Sequence, residues 1–378
     1  MTNKTVLAKG LVERIGIANP HLIYHSSKNG KFEEDLTIKN HSEALRSICE
    51  KLVDPTLGVL ESLAEVEAIG HRVLHGGKTY TQPILVDESV KEGIRECIVL
   101  GPLHNPANLG GIEACEQVFP GVPNVAVFDT AFHQSMGPEA YLYAIPREFY
   151  EKYDVRKYGF HGTSHKFVYF NSCEFLGLDP AKAKIITCHL GNGSSLAAVN
   201  GGKVVDTSMG LTPLMGLVMG TRCGDLDPAV IPFLMSQTGY STSEIDDILN
   251  KKSGLLGMSG LSSDMRDIEA ARDQGNPRAK EAYSAFIHRL VHYVGGYHLL
   301  LGGADAIVFT GGIGENGITT RRIVVNRMAV LGCELDEQAN NSRGEQIIIS
   351  KPGSKITALV TPTNEELMIA METVALTK

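Results

Sequence analysis

Apolar residues along this chain gather into short β-branched runs separated by longer stretches of helical spacing, the alternation expected of an α/β protein. Four runs read as strands: VPNVAVFDT (122–130), AKIITCH (183–189), ADAIVFTGG (304–312) and KITALVTPT (355–363), each ending in small or polar residues. Between the second and third, AKEAYSAFIHRLVHYVGGYHLLLGG carries Tyr283, Phe286, Ile287, Leu290, Val291 and Val294 at helical spacing, which predicts a core-packing helix. His288 and His292 in that helix are four apart, but without a nearby acid or cysteine they read as ordinary helix residues. In open α/β sheets the ligand lies beyond the carboxyl ends of the strands, so chemistry is sought in the residues just after each run.

Composition narrows the class. With 378 residues, 43% hydrophobic and 21% charged, the chain is globular and long enough for two domains with their own cores. A net charge of -8 with no lysine or arginine block argues against nucleic-acid or membrane-surface partners, whereas a small anionic substrate needs only one or two local arginines. The seven cysteines are odd in number and contain no Cys-x-x-Cys pair, which suggests neither a disulfide framework nor a zinc site and fits a reducing cytoplasm. No run reaches the length of a membrane span, and the start MTNKTVLAKG has no apolar signal core, so a soluble, unexported protein is expected.

Candidate chemistry sits in the loops. In CHLGNGSS (188–195) the glycines around Asn192 let backbone amides converge, and the hydroxyls of Ser194 and Ser195 come next, a combination suited to a phosphate; a tight β-hairpin would need the same glycines. GIGENG (312–317) is a literal G-x-G-x-x-G between a strand and the helix-like TTRRIVVNRMAVLG, with Glu334 or Asp336 near the distance of a ribose carboxylate. A dinucleotide site and a plain strand-to-helix turn needing positive φ are both open readings there. GHRVLHGG (70–77) places Arg72 between two histidines, PLHNPAN (102–108) centres on His104, and VFDTAFHQ (127–134) ends a buried-looking strand in Asp129. Taken singly, Arg72 reads as a surface ion-pair residue and Asp129 as a helix cap. GFHGTSH (159–165) has Gly162 where a zinc-protease helix carries glutamate, so it reads as a turn presenting His161. GLVMGTRCGDLDP (216–228) brackets Arg222 with glycines, and SSDMRDI (262–268) packs Asp264, Arg266 and Asp267 into a short loop. TPTNEELMIA (361–370) puts Glu365 and Glu366 in the first turn of a helix, where the dipole alone favours carboxylates. Neither G-x-S-x-G nor G-x-x-x-x-G-K-[ST] occurs, which sets aside a serine hydrolase and a P-loop enzyme.

Taken in order, GHRVLHGG, PLHNPAN, VFDTAFHQ, YGFHGTSH, HLGNGSS, MGLTPLMGLVMGTRCGDLDP, SSDMRD, FTGGIGENG and PTNEE resemble the acetate/propionate kinase (acetokinase) family, from about residue 10 to the C-terminus. The resemblance implies the acetate and sugar kinase/Hsp70/actin (ribonuclease H-like) fold, an α/β architecture of two duplicated domains with a central cleft, in homodimers. The first domain would span 1–130, completed by the C-terminal helix 365–378, and the nucleotide-binding second domain 131–364. The implied reaction is reversible transfer of the ATP γ-phosphoryl group, with Mg2+, to acetate or propionate. Carried over by motif, Asp129, His161 and Arg222 would be catalytic, Arg72 would bind the substrate carboxylate, and Leu74, Leu103, Phe160 and Pro213 would surround its methyl group. His189, Leu190, Gly191, Asn192 and Gly193 would meet the ATP phosphates, and Asp264, Met265, Arg266, Gly312, Ile313, Gly314, Glu315 and Asn316 would hold the nucleoside. Glu365 would bind the magnesium ion, with His104 in a supporting role.

Three departures from the family pattern carry expectations. Nothing like the family's opening NAGSSS strand and turn precedes MTNKTVLAKGLVERIG, a gap on the order of 20 residues by ordinary strand lengths. Loss of a central strand predicts a chain that, as written, is poorly folded or inactive, a nucleotide-binding relic of the family. Leu74 stands where the smaller valine is expected and would favour acetate over propionate, by no more than about 1–3 kcal/mol for one methylene. Cys223 stands where serine is common.

Overall fold

A computed structural model of the chain describes residues 4–102 and 104–378. Leu103, expected beside the acceptor's methyl group, lies outside the described residues. The chain divides into two units, Met1–Ala131 with Glu366–Lys378, and Phe132–Glu365.

In the first unit, β1 (Ala8–Glu13), β2 (His21–Ser26) and β3 (Gly30–Asp35) form an antiparallel sheet in that order. The central strand buries every second residue, Leu22 and Tyr24 among them, as the period-two geometry of a half-covered strand requires. A second sheet has the order β4–β6–β5, from β4 (Ile69–Val73), β5 (Ile84–Leu85) and β6 (Asn124–Phe128). Among the described residues, β1 and β4 each pair with a strand on one side only. The helix α1 (Asn105–Val118) lays Leu109 and Ile112 against Val73, Ala126 and Phe128. The C-terminal helix (Glu365–Thr377) passes so close to β4 that a Cβ at Gly70 would run into Ile369 and Thr373, which explains the glycine that opens GHRVLHGG.

The second unit is built on a six-stranded sheet, β7 (Lys184–Leu190), β8 (Ser194–Asn200), β9 (Lys203–Thr207), β10 (Ala306–Thr310), β11 (Ile347–Ile348) and β12 (Thr357–Val360), in the order β11–β12–β10–β7–β8–β9. β10 lies parallel to both β7 and β12, while β8 continues antiparallel from β7. Central strands covered on both faces are largely apolar, and alternate residues enter different cores. Ile185, Ala197, Val199, Val308 and Leu359 pack with α2 (Gly162–Leu176) through Val168 and Tyr169. Ile186, Cys188, Leu190, Ile307 and Phe309 pack on the other face with Met265 and Ile268 of α3 (Met265–Asp273) and Phe286, Leu290 and Val294 of α4 (Pro277–Leu300). Of the six positions predicted for the α4 stripe, Tyr283, Phe286, Ile287, Leu290 and Val294 are buried and Val291 is half-buried. Each such side chain contributes about 1.5–3 kcal/mol by leaving water. The same alternation turns Thr187 and His189 of β7 toward α2, the face on which the histidines of GFHGTSH lie.

Two local expectations need correction. GIGENG is not a turn: Gly311–Asn316 is itself a short helix, α5, followed after Gly317 by α6 (Ile318–Arg327). The positive φ falls one residue before the motif, at Gly311 (φ +75), where a Cβ would stand 2.8 Å from the Leu190 carbonyl oxygen. SSDMRDI is likewise not a loop but a helix start, with Asp264 as the N-cap of α3 accepting from the Arg266 amide.

Candidate active site

In the first unit the parallel pairing of β4 with β6 sets Arg72 beside Val127, and the chain leaving β6 returns the Asp129 amide to the Val73 carbonyl at 2.9 Å. That register brings together two side chains 57 residues apart. Arg72 Nε donates to Asp129 Oδ1 at 3.1 Å and Nη2 donates to Oδ2, a two-point guanidinium–carboxylate fork. The Asp129 side chain is fully buried, while that of Arg72 is 40% exposed. Neither single-residue reading from the sequence, surface ion pair or helix cap, describes this half-buried pair. Leu74, buried next to it, donates its amide to Asn108 Oδ1 at 3.0 Å and packs over Gly101.

In the second unit, CHLGNGSS resolves into a β-hairpin whose three-residue tip, Gly191 to Gly193, joins Leu190 and Ser194. The Gly191 amide closes the tip on the Gly193 carbonyl at 3.1 Å. Both hydroxyls turn inward rather than to an anion: Ser194 donates to the Gly191 carbonyl at 2.9 Å, and Ser195 lies between two histidines. What meets the tip from outside is a guanidinium and an imidazole. A Cβ on Gly193 would stand 3.4 Å from Arg222 Nη1 and 3.5 Å from His161 Nε2, so the two groups converge on that glycine. His161 is held at the end of its turn in the left-handed region (φ 57), just ahead of α2, an uncommon conformation for a non-glycine residue. Its ring stacks on His189 at 4.3 Å, and His189 Nδ1 lies 2.8 Å from the Ser164 hydroxyl. Arg222 is half-buried, and desolvation pushes its pKa below the ordinary guanidinium value. Nη1 lies 3.5 Å from the carbonyl oxygen of Pro213, and the side chain of Phe160 is buried in the same unit. Nearby Asp225 does not pair with Arg222; it binds Arg289 and Tyr293 at 2.7 and 2.8 Å.

A cavity of about 620 Å³ lies beside this hairpin. Its walls come from Gly191 and Asn192 of the tip, Asp264, Met265 and Arg266 at the start of α3, and Gly312, Ile313 and Asn316 of α5. That volume is within the range of small-molecule sites. Five other residues expected at the nucleotide are placed differently. Leu190 and Gly314 are buried against the sheet, and His189 and Gly193 lie on the histidine side of the hairpin. Glu315 Oε1 accepts from the amides of Gly311 at 2.9 Å and Thr363 at 3.2 Å, tying α5 to the segment that leads into Glu365. Glu365 itself is half-buried at the first residue of the C-terminal helix. Arg266 folds back on Asp264, and this hydrogen-bonded pair holds the Asp264 carboxyl down at about 2. Glu334 pairs with Lys351 at 3.6 Å and Asp336 caps a short helix, so neither offers the ribose carboxylate of a dinucleotide site.

Sequence reasoning missed several residues here. Arg343 and Glu269 also line the cavity; Arg343 donates to the Asn316 carbonyl at 2.8 Å, and burial raises the Glu269 carboxyl. Arg321 is fully buried and donates to the carbonyls of Gly314, Glu315, Asn340 and Ser342 and to Asn340 Oδ1, which ties the end of α5 to the segment carrying Arg343. An arginine in a helix read as TTRRIVVNR gives no sign of this burial, because its partners are carbonyls that any residue could supply. Glu269, by contrast, lies four residues after Met265 and so shares its helix face.

A family model described as the acetokinase family matches residues 1–371. The chain belongs to that family. Its match begins at residue 1, ahead of residue 10 where the motifs first placed it. An acetate kinase from Treponema denticola is 53% identical over 378 residues, covering 100% of this chain and 95% of its own length. Among solved structures, a Porphyromonas gingivalis acetate kinase superposes with a TM-score of 0.95 at 46% identity, covering 99% of this chain and 94% of its own. A propionate kinase from Francisella tularensis superposes with a TM-score of 0.92 at 42% identity, covering 98% and 94%. The mixed α/β fold is therefore that of the acetate and propionate kinases, and this acetokinase-family chain is a phosphotransferase with a carboxyl group as acceptor.

Proposed function

We propose that the chain transfers the γ-phosphoryl group of ATP reversibly to acetate, giving acetyl phosphate and ADP. The observation that carries this reading is the convergence of His161 and Arg222 on the tip of the hairpin whose neighbouring residues wall a nucleotide-sized cavity. In the forward direction an acetate oxygen forms a bond to the γ-phosphorus as the bond to the ADP oxygen breaks, and the acceptor leaves as a mixed anhydride. Such transfer asks the protein for positioning and for positive charge at the equatorial oxygens rather than for covalent chemistry. Arg222 and His161 supply that charge. Arg72 binds the acetate carboxylate, and Asp129, buried and two-point bonded to it, fixes the orientation of the guanidinium. The assignment of Leu74, Leu103, Phe160 and Pro213 to the methyl group, with His104 in support, is what membership of the family implies.

ATP places its nucleoside among Asp264, Met265, Arg266 and α5, and its phosphates along the 189–193 hairpin. Glu365 would hold Mg2+: a single half-buried carboxylate fits a small cation that takes most of its ligands from water and phosphate. Bound there, magnesium supplies further positive charge to the phosphate oxygens. We also propose a homodimer in the cytoplasm. Among the described residues no helix is long and apolar enough to cross a membrane.

Acceptor choice follows from Leu74. Acetyl hydroxamate formation with ATP is expected to exceed that from propionate by about 10- to 100-fold in kcat/KM, with butyrate lower still, since one methylene in an apolar pocket discriminates on this scale. Propionate preferred to acetate would contradict the pocket assignment. ATP binding by calorimetry with no hydroxamate from any acceptor would overturn the proposal.

A further inference from the structure

The serine hydroxyls that drew attention to CHLGNGSS do not face a ligand, and one of them has a use the reaction above leaves open. Ser195 Oγ lies 2.8 Å from His161 Nδ1 and 2.8 Å from His165 Nε2, and His165 Nδ1 in turn lies 2.7 Å from Thr187 Oγ1. Thr187, Ser195 and His165 are all fully buried, so each proton in this chain has to be assigned to a partner within it. The chain exists because of strand alternation: Thr187 on β7 and Ser195 on β8 point to the face covered by α2, where His161 and His165 are one helical turn apart.

These contacts admit two proton orders, and the donor at Thr187 selects between them. Thr187 Oγ1 donates to the Ala197 carbonyl at 3.4 Å, so it accepts from His165 Nδ1–H. Burial, with His133 and His189 nearby, lowers the pKa of His165 well below its ordinary value, and the ring carries a single proton. Its Nε2 is then an acceptor and takes the Ser195 hydroxyl proton, which leaves Ser195 Oγ to accept from His161 Nδ1–H. We infer that Ser195, oriented by His165 and Thr187, is a positioning residue that locks the proton of His161 on Nδ1, so that Nε2, the atom beside Gly193, is the one that gains and loses a proton. At a phosphoryl group His161 then donates only as the imidazolium. The inference rests on the assignment of His161 to the phosphoryl group, but the tautomer itself can be read without turnover.

Histidine-selective 15N labelling of the full chain, with two-bond 1H–15N correlation spectra and His161 assigned by its absence in H161N, tests this directly. Neutral His161 is expected as the Nδ1–H tautomer, and S195A is expected to shift it to the Nε2–H form usual for an unrestrained ring. T187V, which frees His165 to turn over its own proton, should produce the same shift with Ser195 intact. In activity, S195A should lower kcat by about 10- to 1000-fold with the KM for ATP within about threefold, less than the ~10⁴ lost when a charged orienting partner is removed from a catalytic histidine. A wild-type His161 in the Nε2–H form would overturn the inference, as would a tautomer unmoved by both substitutions. If acetyl phosphate is not formed at all but the tautomer behaves as stated, the functional reading fails and the proton chain stands.

Discussion

Arg222→Ala is expected to lower kcat by about 10³-fold or more while the Kd for ATP changes by less than about tenfold. The asymmetry follows from where the guanidinium sits. The cavity assigned to the nucleoside is walled by the hairpin tip, the start of α3 and α5, without Arg222. Arg222 instead converges with His161 on Gly193, where the proposed reading puts the phosphoryl group in transfer. It is half-buried and desolvated, which weakens its competition with water and strengthens its field on a nearby anion. Removing one such pre-oriented donor costs on the order of 10²–10³ in rate, and arginines acting on a transferring phosphoryl group reach about 10³–10⁵. Arg222→Lys keeps the charge but not the planar fork, so it should recover only part of the loss. Steady-state kinetics combined with calorimetric ATP binding separates the two quantities, and an unchanged kcat in the alanine variant would remove Arg222 from the reaction.

Arg72→Ala should act twice. On the proposed reading it takes away the group that binds the acceptor carboxylate, raising the KM for acetate by about 10- to 100-fold, as expected for the loss of a charge-assisted two-point contact. It also strands the fully buried carboxylate of Asp129. Breaking a fully buried pair from one side costs about 3–5 kcal/mol; with Arg72 40% exposed, water can reach the site, and about 2 kcal/mol is expected here. Asp129→Asn is the informative contrast. It leaves the more exposed partner, which water can solvate, so its cost in stability should be smaller even though its loss of activity is as large. Urea unfolding of the two variants decides the point: a D129N chain less stable than the R72A chain would show that the pair is not asymmetric in burial as described.

The sheet of the second unit was legible because its strands are β-branched runs of the right length, and α4 because its apolar residues keep the helical period over several turns. The hairpin was legible only as a choice between an anion loop and a turn. The structure shows the turn, a tip closed on itself with Gly193 facing His161 and Arg222. Partnerships set by register stayed hidden. Nothing near Arg72 in the chain announces Asp129, because only the parallel pairing of β4 and β6 makes them neighbours. Ser195 and Thr187 became partners of one histidine for the same reason, through the antiparallel match of β7 with β8. The buried Arg321 was invisible because backbone carbonyls satisfy it, and carbonyls leave no trace in a sequence. At GIGENG the glycine pattern suggests a positive φ that belongs instead to Gly311, while the motif itself turns as a helix.

The central claim is that an acetate oxygen attacks the γ-phosphorus of ATP in a site built from these residues. Incubating the chain with ATP, Mg2+ and acetate labelled with 18O in both oxygens, and recording the product by 31P NMR, tests it most directly. The account predicts an acetyl phosphate resonance that depends on acetate, shifted by a single 18O in the bridge between carbon and phosphorus. Inorganic phosphate formed at the same rate without acetate, or acetyl phosphate lacking the label in its bridge, would contradict it.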